Sequence, residues 1–297
     1  YRQGKYNTNT NNVYSLFIEE ALRRGNIVSF VVPKTMLSAP EFNRTRELMS
    51  NYNLLKLVDF GEKAFNVLVE TIGFVLKKTK KHPQNLVKIE SFVTGEKRTV
   101  KQSYIISDDF PYWLIYRNKF FDDVAKKMKF DVFTSFRDRQ ITKKISQSHG
   151  KYRILKSRNI DNNSIKNIPG YDCYVSEKEL DSLAVRKYLN SKGAVLIPNL
   201  TYLPRACFMP EDSICDGSVA IARPKDDVKV TKDMLAYYST PEFTEFYKIA
   251  RNRSTRTMNI DSNSIFFFGK LVGTIRHAKN YKASHNSGNS LSVFCRL

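Results

Sequence analysis

The sequence predicts an α/β fold over its first part, followed by a mixed α+β region. Helical patterns alternate with strand-like apolar runs at the start of the chain, which is typical of an α/β layer. One of these runs, 27–33, is apolar almost throughout, as in strands that are buried on both faces of a parallel sheet. From about residue 87 the pattern changes, and short strand-like pieces alternate with polar turns.

Two helices are predicted on either side of this apolar strand. Over 11–24 the apolar residues share one face of a helix, which Asn11 or Asn12 can cap and which Gly25 ends. A second helix is predicted near 40–51, after the strand.

A hairpin is predicted next. The strands 54–60 and 69–78 are joined by a polar turn that is too short for a crossover helix. We therefore predict that they are antiparallel neighbours, forming a hairpin at the edge of an otherwise parallel sheet. Phe65 lies in the turn between them, where a buried side chain would be hard to place.

The second half of the chain is predicted to be a separate domain. We place the boundary near residue 129, which gives domains 1–128 and 129–297. The strand-like and helical segments of the second domain are predicted at 152–160, 194–199, 218–224 and 241–252.

The charge balance favours a polyanionic partner. Lys and Arg number 49 against 29 for Asp and Glu, which gives a net charge of +20. Nucleic acid is the first candidate for the partner and an anionic membrane surface the second. No apolar run approaches the roughly 20 residues that span a bilayer, so we expect a soluble chain. Of the two candidates we expect nucleic acid and not a membrane.

The cysteines and histidines predict no metal site. Four residues of each type occur, without a CxxC pair and without the spacing of metal ligands. Reduced thiols and a cytoplasmic location are the simplest interpretation. Because Tyr1 is not an initiator methionine, we expect the chain to be a fragment of a longer protein.

The first 80 residues resemble the γ-class adenine DNA methyltransferases of type II restriction–modification systems, the TaqI-like group. The resemblance is carried, in order and spacing, by GKYN (4–7), FIEEAL (17–22), SFVVP (29–33) and LVDFGEKAFNVLVETIGFVLKK (57–78). Over 129–297 it is looser. There GKYRILKSRNI (150–160) and NRSTRTMNIDSNSIFFFG (252–269) are similar to recognition domains of this group, and the first also to repeats of type I specificity subunits.

The resemblance implies a fold and an activity. Residues 1–128 would form the C-terminal half of a Rossmann-like methyltransferase sheet, and 129–297 a target-recognition domain. The complete enzyme would transfer a methyl group from S-adenosylmethionine to the amino group of a flipped adenine, without a metal. Double-stranded DNA is the expected partner, together with a restriction endonuclease or the missing N-terminal half of the catalytic domain.

Two motifs of the family do not occur in 1–297. They are the catalytic tetrapeptide Asn/Asp-Pro-Pro-Tyr/Phe and the glycine-rich cofactor loop. We therefore expect this chain alone to be inactive, and its cofactor-binding residues stay unassigned. Two other functions remain open: a non-catalytic DNA-recognition module or subunit, and an RNA methyltransferase.

The resemblance also implies the residues of the substrate cleft. In this family an aromatic residue in the loop before the antiparallel strand stacks on the flipped adenine, and Phe65 occupies this position. The alternative is that Phe65 folds back as a plug over the end of the sheet. The cleft would be lined by Lys5, Tyr6, Pro33 and Lys34, and two interpretations stand for Lys34: contact with a phosphate, or exposure to solvent.

Basic and amide side chains of the second half are candidates for DNA contacts. Arginine forks match guanine and phosphate, and amides match adenine, whereas most single lysines are expected to be solvated. The candidates are Arg137, Arg139, Gln140, Arg153, Lys156, Arg158, Asn199, Tyr202, Arg205, Arg251, Arg253 and Arg256.

Overall fold

The computed structural model describes most of the chain. The described residues are 4–8, 10–62, 64–65, 68–199, 201–225, 228–254 and 259–272. The helices are α1 (Val13–Arg24), α2 (Asn43–Ser50), α3 (Gln102–Ile105), α4 (Lys119–Ala125), α5 (Glu177–Asp181), α6 (Lys232–Tyr237) and α7 (Pro241–Ala250). Within these ranges no helix is long and apolar enough to cross a membrane.

The strands form one larger sheet and several small ones. Those of the first half are β1 (Ile27–Pro33), β2 (Tyr52–Gly61), β3 (Thr71–Lys80), β4 (Leu86–Ser91) and β5 (Lys97–Lys101). Those of the second half are β6 (Met128–Lys129), β7 (Phe133–Phe136), β8 (Tyr152–Leu155), β9 (Ile160–Asp161), β10 (Ser164–Ile165), β11 (Cys173–Val175), β12 (Val195–Pro198), β13 (Cys207–Phe208), β14 (Ser213–Cys215), β15 (Val219–Pro224) and β16 (Lys270–Leu271).

The first helix forms where its sequence predicts, but Val13, Tyr14 and Phe17 of the predicted apolar face are exposed. The side chain of Asn12 accepts a hydrogen bond from the backbone N–H of Tyr14, which satisfies one of the free donors at the start of α1. Ile18 and Leu22, four residues apart, are buried on its inner face. At the other end of α1, the backbone N–H of Gly25 donates to the backbone oxygen of Ala21.

The larger sheet has the order β1-β3-β2-β4-β5. The predicted antiparallel pairing of β2 and β3 is confirmed. The predicted edge position is wrong, since β3 lies between β1 and β2 and is antiparallel to both. The prediction that the rest of the sheet is parallel is also wrong. The strand β4 is parallel to β2, but β5 is antiparallel to β4. Local sequence patterns fix the direction of a hairpin but not the neighbour that its outer strand meets.

The first strand is buried on one face, not on both as predicted. Val28 and Val32 are buried, whereas Ile27 and Val31 on the opposite face are exposed. Within the described residues β1 pairs on one side only, with β3. The face that carries Ile27 and Val31 lacks the covering layer that packs on both faces of a parallel sheet.

Three strand ends meet at one edge of the larger sheet. The strands β1, β2 and β4 run in the same direction, because β3 is antiparallel to the first two and β2 is parallel to β4. Thr71, the first residue of β3, pairs with both Pro33 and Gly61. We call this edge, where β1, β2 and β4 end and β3 begins, the carboxyl edge.

The described residues form two hydrophobic cores. The first includes residues from Ile18 to Phe268, so α7 near the end of the chain packs with α4 of the first half. Phe121 and Phe246, one from each helix, stack with their ring centroids 4.7 Å apart. The second core includes residues from Tyr152 to Ile221, between the strands β8, β12, β14 and β15. The domain division at residue 129 stays a proposal.

Candidate functional site

A buried ion pair lies at the carboxyl edge. Lys34 follows β1 directly, and its Nζ is 2.6 Å from Oδ2 of Asp59 near the end of β2. The Lys34 side chain is 5% exposed and that of Asp59 is fully buried. Neither interpretation of Lys34 from the sequence describes this position, since its amine meets carboxylates rather than a phosphate or solvent. The reason is that a charge taken out of water needs an opposite charge beside it.

Asp59 accepts further hydrogen bonds that fix its orientation. The hydroxyl of Tyr116 donates to Oδ2 at 2.6 Å, and the backbone N–H of Gly61 donates to Oδ1 at 3.0 Å. The hydroxyls of Tyr116 and Ser91 are 2.6 Å apart. Burial and the charge of Asp59 raise the pKa of Tyr116 well above its usual value, so the phenol remains a donor at neutral pH.

Glu70 connects this ion pair to the C-terminal half of the chain. Its Oε1 is 3.2 Å from Lys34 Nζ, and its Oε2 accepts a hydrogen bond of 2.7 Å from the hydroxyl of Ser254. The amine of Lys34 also reaches the backbone oxygen of Arg253 at 3.4 Å. Three segments far apart in sequence therefore meet around one lysine.

The turn after α7 has an unusual backbone. Asn252 and Arg253 both have φ near +50°, a region that residues other than glycine seldom occupy. The buried side chain of Asn252 holds the turn in place, since its Oδ1 accepts from the N–H of Ile115 and its Nδ2 donates to the oxygen of Trp113. The turn is thus fixed against the first half of the chain.

Phe65 lies in the loop between β2 and β3 and is not buried as a plug. Its side chain is 47% exposed, and one edge contacts Phe60 at 5.2 Å between ring centroids. Phe60 stacks on Phe92, which is 66% exposed, and the three rings line a cleft of about 710 Å³. Gly73 makes room for this arrangement, because a Cβ there would lie 2.9 Å from the ring of Phe60.

The segment 4–7 packs beside α1 and α2. The carboxylate of Glu19 accepts hydrogen bonds from the backbone N–H groups of Tyr6 and Asn7 and from the Asn7 amide. Thr45 of α2 donates to the Asn7 side chain at 2.7 Å. Tyr6 lies beside Glu47 of α2, whose charge adds to burial in raising the pKa of the phenol, and Lys5 is exposed. These contacts place the segment against the helices, and a role in the substrate cleft stays a prediction.

Replacing Glu19 by Gln is expected to reduce stability in a pH-dependent way. Burial acts to raise the pKa of the Glu19 carboxyl, but the hydrogen bonds from residues 5–7 outweigh it and hold the pKa below its usual value. The stability that the carboxylate contributes is therefore present above the unfolded-state pKa and is lost as the pH falls through the folded-state pKa. Urea unfolding should show a loss of about 1–2 kcal/mol at pH 7, where the carboxylate keeps its charged hydrogen bonds. A loss of the same size at pH 7 and at pH 3 would contradict this account.

Several predicted DNA-binding residues are bonded within the protein instead. Asn199 is 1% exposed, and Arg251, with a side chain 10% exposed, faces Asp261. Asn199 is therefore corrected to a structural role, because a buried group cannot reach a base edge or phosphate, and Arg251 is largely covered beside Asp261. Arg153 pairs with Asp172, and Arg205 donates to backbone oxygens.

The other predicted DNA-binding residues differ in their exposure. Lys156 lies over the ring of Tyr171 and donates to its backbone oxygen, Arg253 pairs with Glu245, and Arg137 is half-buried. Arg256 lies outside the described residues. The exposed candidates are Arg139, Gln140, Arg158 and Tyr202.

The site contains residues that the sequence patterns did not identify. Asp59, Glu70 and Tyr116 form its polar centre together with Lys34. A signal existed for Asp59, because an acidic residue inside an otherwise apolar strand has to find a partner when the strand is buried. Among the described residues no group of three or more His, Cys, Asp or Glu side chains could hold a metal ion.

Comparisons with known proteins find similarity over parts of the chain. A family model described as "Eco57I restriction-modification methylase" matches residues 1–65, so the match ends in the loop that carries Phe65. Comparison with curated protein sequences finds no match.

Three solved structures are similar to parts of the chain. The type IIG restriction endonuclease BpuSI has a TM-score of 0.36 at 12% identity, covering 89% of this chain and 42% of that one. The type IIL restriction–modification enzyme MmeI in complex with DNA has 0.41 at 10% identity, covering 84% and 40%. A structure of a type I restriction–modification system has 0.23 at 20% identity, covering 28% and 18%. The chain spans less than half of the length of each.

Proposed function

We propose that this chain takes part in site-specific methylation of adenine in duplex DNA, within a restriction–modification system. S-adenosylmethionine would be the methyl donor. The observation that carries the proposal is that the methylase family match over residues 1–65 ends at a half-exposed aromatic ring in a cleft at the carboxyl edge. The charge of +20 supports a nucleic-acid partner.

The chemistry of the reaction explains why an exposed ring is needed. A base inside a duplex hides its amino group in the stack, so an enzyme that modifies it must extrude the base and offer another surface for stacking. An aromatic side chain supplies roughly 1–3 kcal/mol of stacking per base. Phe65 would be this surface, and Phe60 would support it from behind by the edge contact of the two rings.

The second half of the chain would read the DNA sequence. Phosphate contacts from its exposed basic side chains would supply affinity, and base-edge contacts would supply discrimination. Tyr202, 65% exposed, lines a cleft of about 420 Å³ together with Val93 of the first half, Arg253 and Ser254. Residues of both halves therefore line this cleft, and it is our candidate for part of the DNA-binding surface.

A second function is a non-catalytic DNA-recognition module. It is favoured by one observation, the absence from 1–297 of the catalytic tetrapeptide and of the glycine-rich loop. Both would then come from another polypeptide segment, and this chain would supply the base-stacking loop and the recognition surface.

The test is methyl transfer by the protein as its gene encodes it. Incubation with labelled S-adenosylmethionine and plasmid DNA, followed by digestion to nucleosides, is expected to give labelled N6-methyldeoxyadenosine. Single-molecule sequencing of the undigested plasmid should place the modification at one defined sequence. Label in cytosine, or label in RNA alone, would contradict the proposal. Specific, salt-dependent duplex binding without methyl transfer would favour the recognition module, because phosphate contacts lose affinity as salt rises.

A further inference from the structure

The loop between β2 and β3 is fixed at both ends by the same lysine. At its start, Lys34 binds Asp59, which in turn accepts from the N–H of Gly61. At its end, the Lys34 amine binds the Glu70 carboxylate. The backbone N–H of Lys34 also donates to the backbone oxygen of Glu70 at 2.8 Å. Phe65 lies between these two anchors.

The second anchor also depends on the C-terminal half. The Glu70 side chain is 11% exposed and uses one oxygen for Lys34 and the other for Ser254. Ser254 follows Asn252 and Arg253, the two residues with positive φ. A strained backbone persists only where its surroundings hold it, and such strain clusters at functional sites. Here the side chain of Asn252 holds the turn in the geometry that presents the Ser254 hydroxyl to Glu70.

We propose that Glu70 and Ser254 are positioning residues that couple the second half of the chain to the loop carrying Phe65. Because Asn252 fixes the turn after α7 against the first half, the Ser254 hydroxyl would hold the end of the loop in place when the second half engages DNA. Ser254 acts through Glu70, and neither residue touches the base. The effect of this coupling on methyl transfer rests on the proposed function. The contact between Ser254 and Glu70 can be tested in the protein without DNA.

The first experiment reports on the position of residue 65 without DNA. Trp113 is the single tryptophan, is 3% exposed and can be replaced by Phe, so that a Phe65→Trp reporter gives the whole signal. In this background Ser254→Ala is expected to shift the tryptophan emission to the red and to increase its quenching by acrylamide. Ser254→Thr keeps the hydroxyl and should restore the original spectrum. Identical spectra for the serine and alanine forms would overturn the proposal.

The second experiment uses the encoded protein with the duplex site found by methylation mapping. Ser254→Ala is expected to lower kcat about tenfold, the effect of losing one hydrogen bond to a charged group, with little change in the KM for duplex. The matched control is Ser182→Ala. The exposed hydroxyl of Ser182 donates to the backbone oxygen of Glu179, beside the second core. Equal kcat values for Ser254→Ala and wild type would overturn the coupling. If wild type itself transfers no methyl group, the proposed function fails, while the reporter experiment still decides whether the contact positions the loop.

Discussion

Replacement of Phe65 by Ala is expected to slow methyl transfer by the encoded protein roughly 5- to 150-fold, the equivalent of the 1–3 kcal/mol of one base–aromatic stack. The ring is 47% exposed in a cleft, so its removal leaves no cavity in a core and should change the free energy of unfolding little. Duplex binding should weaken much less than the rate falls, because phosphate contacts supply most of the affinity. Single-turnover methylation and fluorescence anisotropy measure the two quantities separately.

Two control variants make this result specific to the ring of Phe65. Phe65→Trp keeps an aromatic face and should retain most of the activity. Leu86→Ala removes an exposed apolar side chain, 56% exposed, at the start of β4 and therefore at the opposite edge of the sheet. It should leave the rate unchanged. Equal losses of rate and binding in Phe65→Ala, or no loss of either, would exclude the stacking role.

Replacement of Asp59 by Ala is expected to destabilise the fold by about 3–5 kcal/mol, the usual cost of leaving one member of a buried ion pair without its partner. The Lys34 amine would keep Glu70 but lose its closest carboxylate, and the hydroxyl of Tyr116 and the N–H of Gly61 would lose their acceptor. Urea unfolding monitored by circular dichroism measures the change in free energy.

A double-mutant cycle separates the ion pair from simple loss of packing. Lys34→Met combined with Asp59→Leu removes both charges and should cost clearly less than the sum of the two single changes. Strict additivity would mean that the pair contributes no coupling. The surface pair of Lys119 and Asp123, with side chains 87% and 45% exposed, is the matched comparison. Its cycle should give a much smaller coupling than that of Lys34 and Asp59, because water and salt screen exposed charges.

The sequence by itself determined the local elements of the first half. The Asn12 cap and the spacing of Ile18 and Leu22 specify α1, because both are properties of neighbouring residues along one helix. The short turn before β3 specifies an antiparallel hairpin, and the same turn leaves Phe65 outside a core. Periodicity and capping act over a few residues, so a single sequence carries them.

Only the tertiary structure decided how these elements meet. Nothing local indicates that β3 pairs with β1 as well as with β2, or that Asn199 is buried and Arg251 largely covered rather than available to DNA. The amine of Lys34 contacts the oxygen of Arg253, 219 residues further along the chain. Whether a charged side chain becomes a ligand for DNA or one partner of a buried ion pair depends on which distant segment packs against it. That packing is a property of the whole fold, because burial and charge pairing are set by neighbours in space.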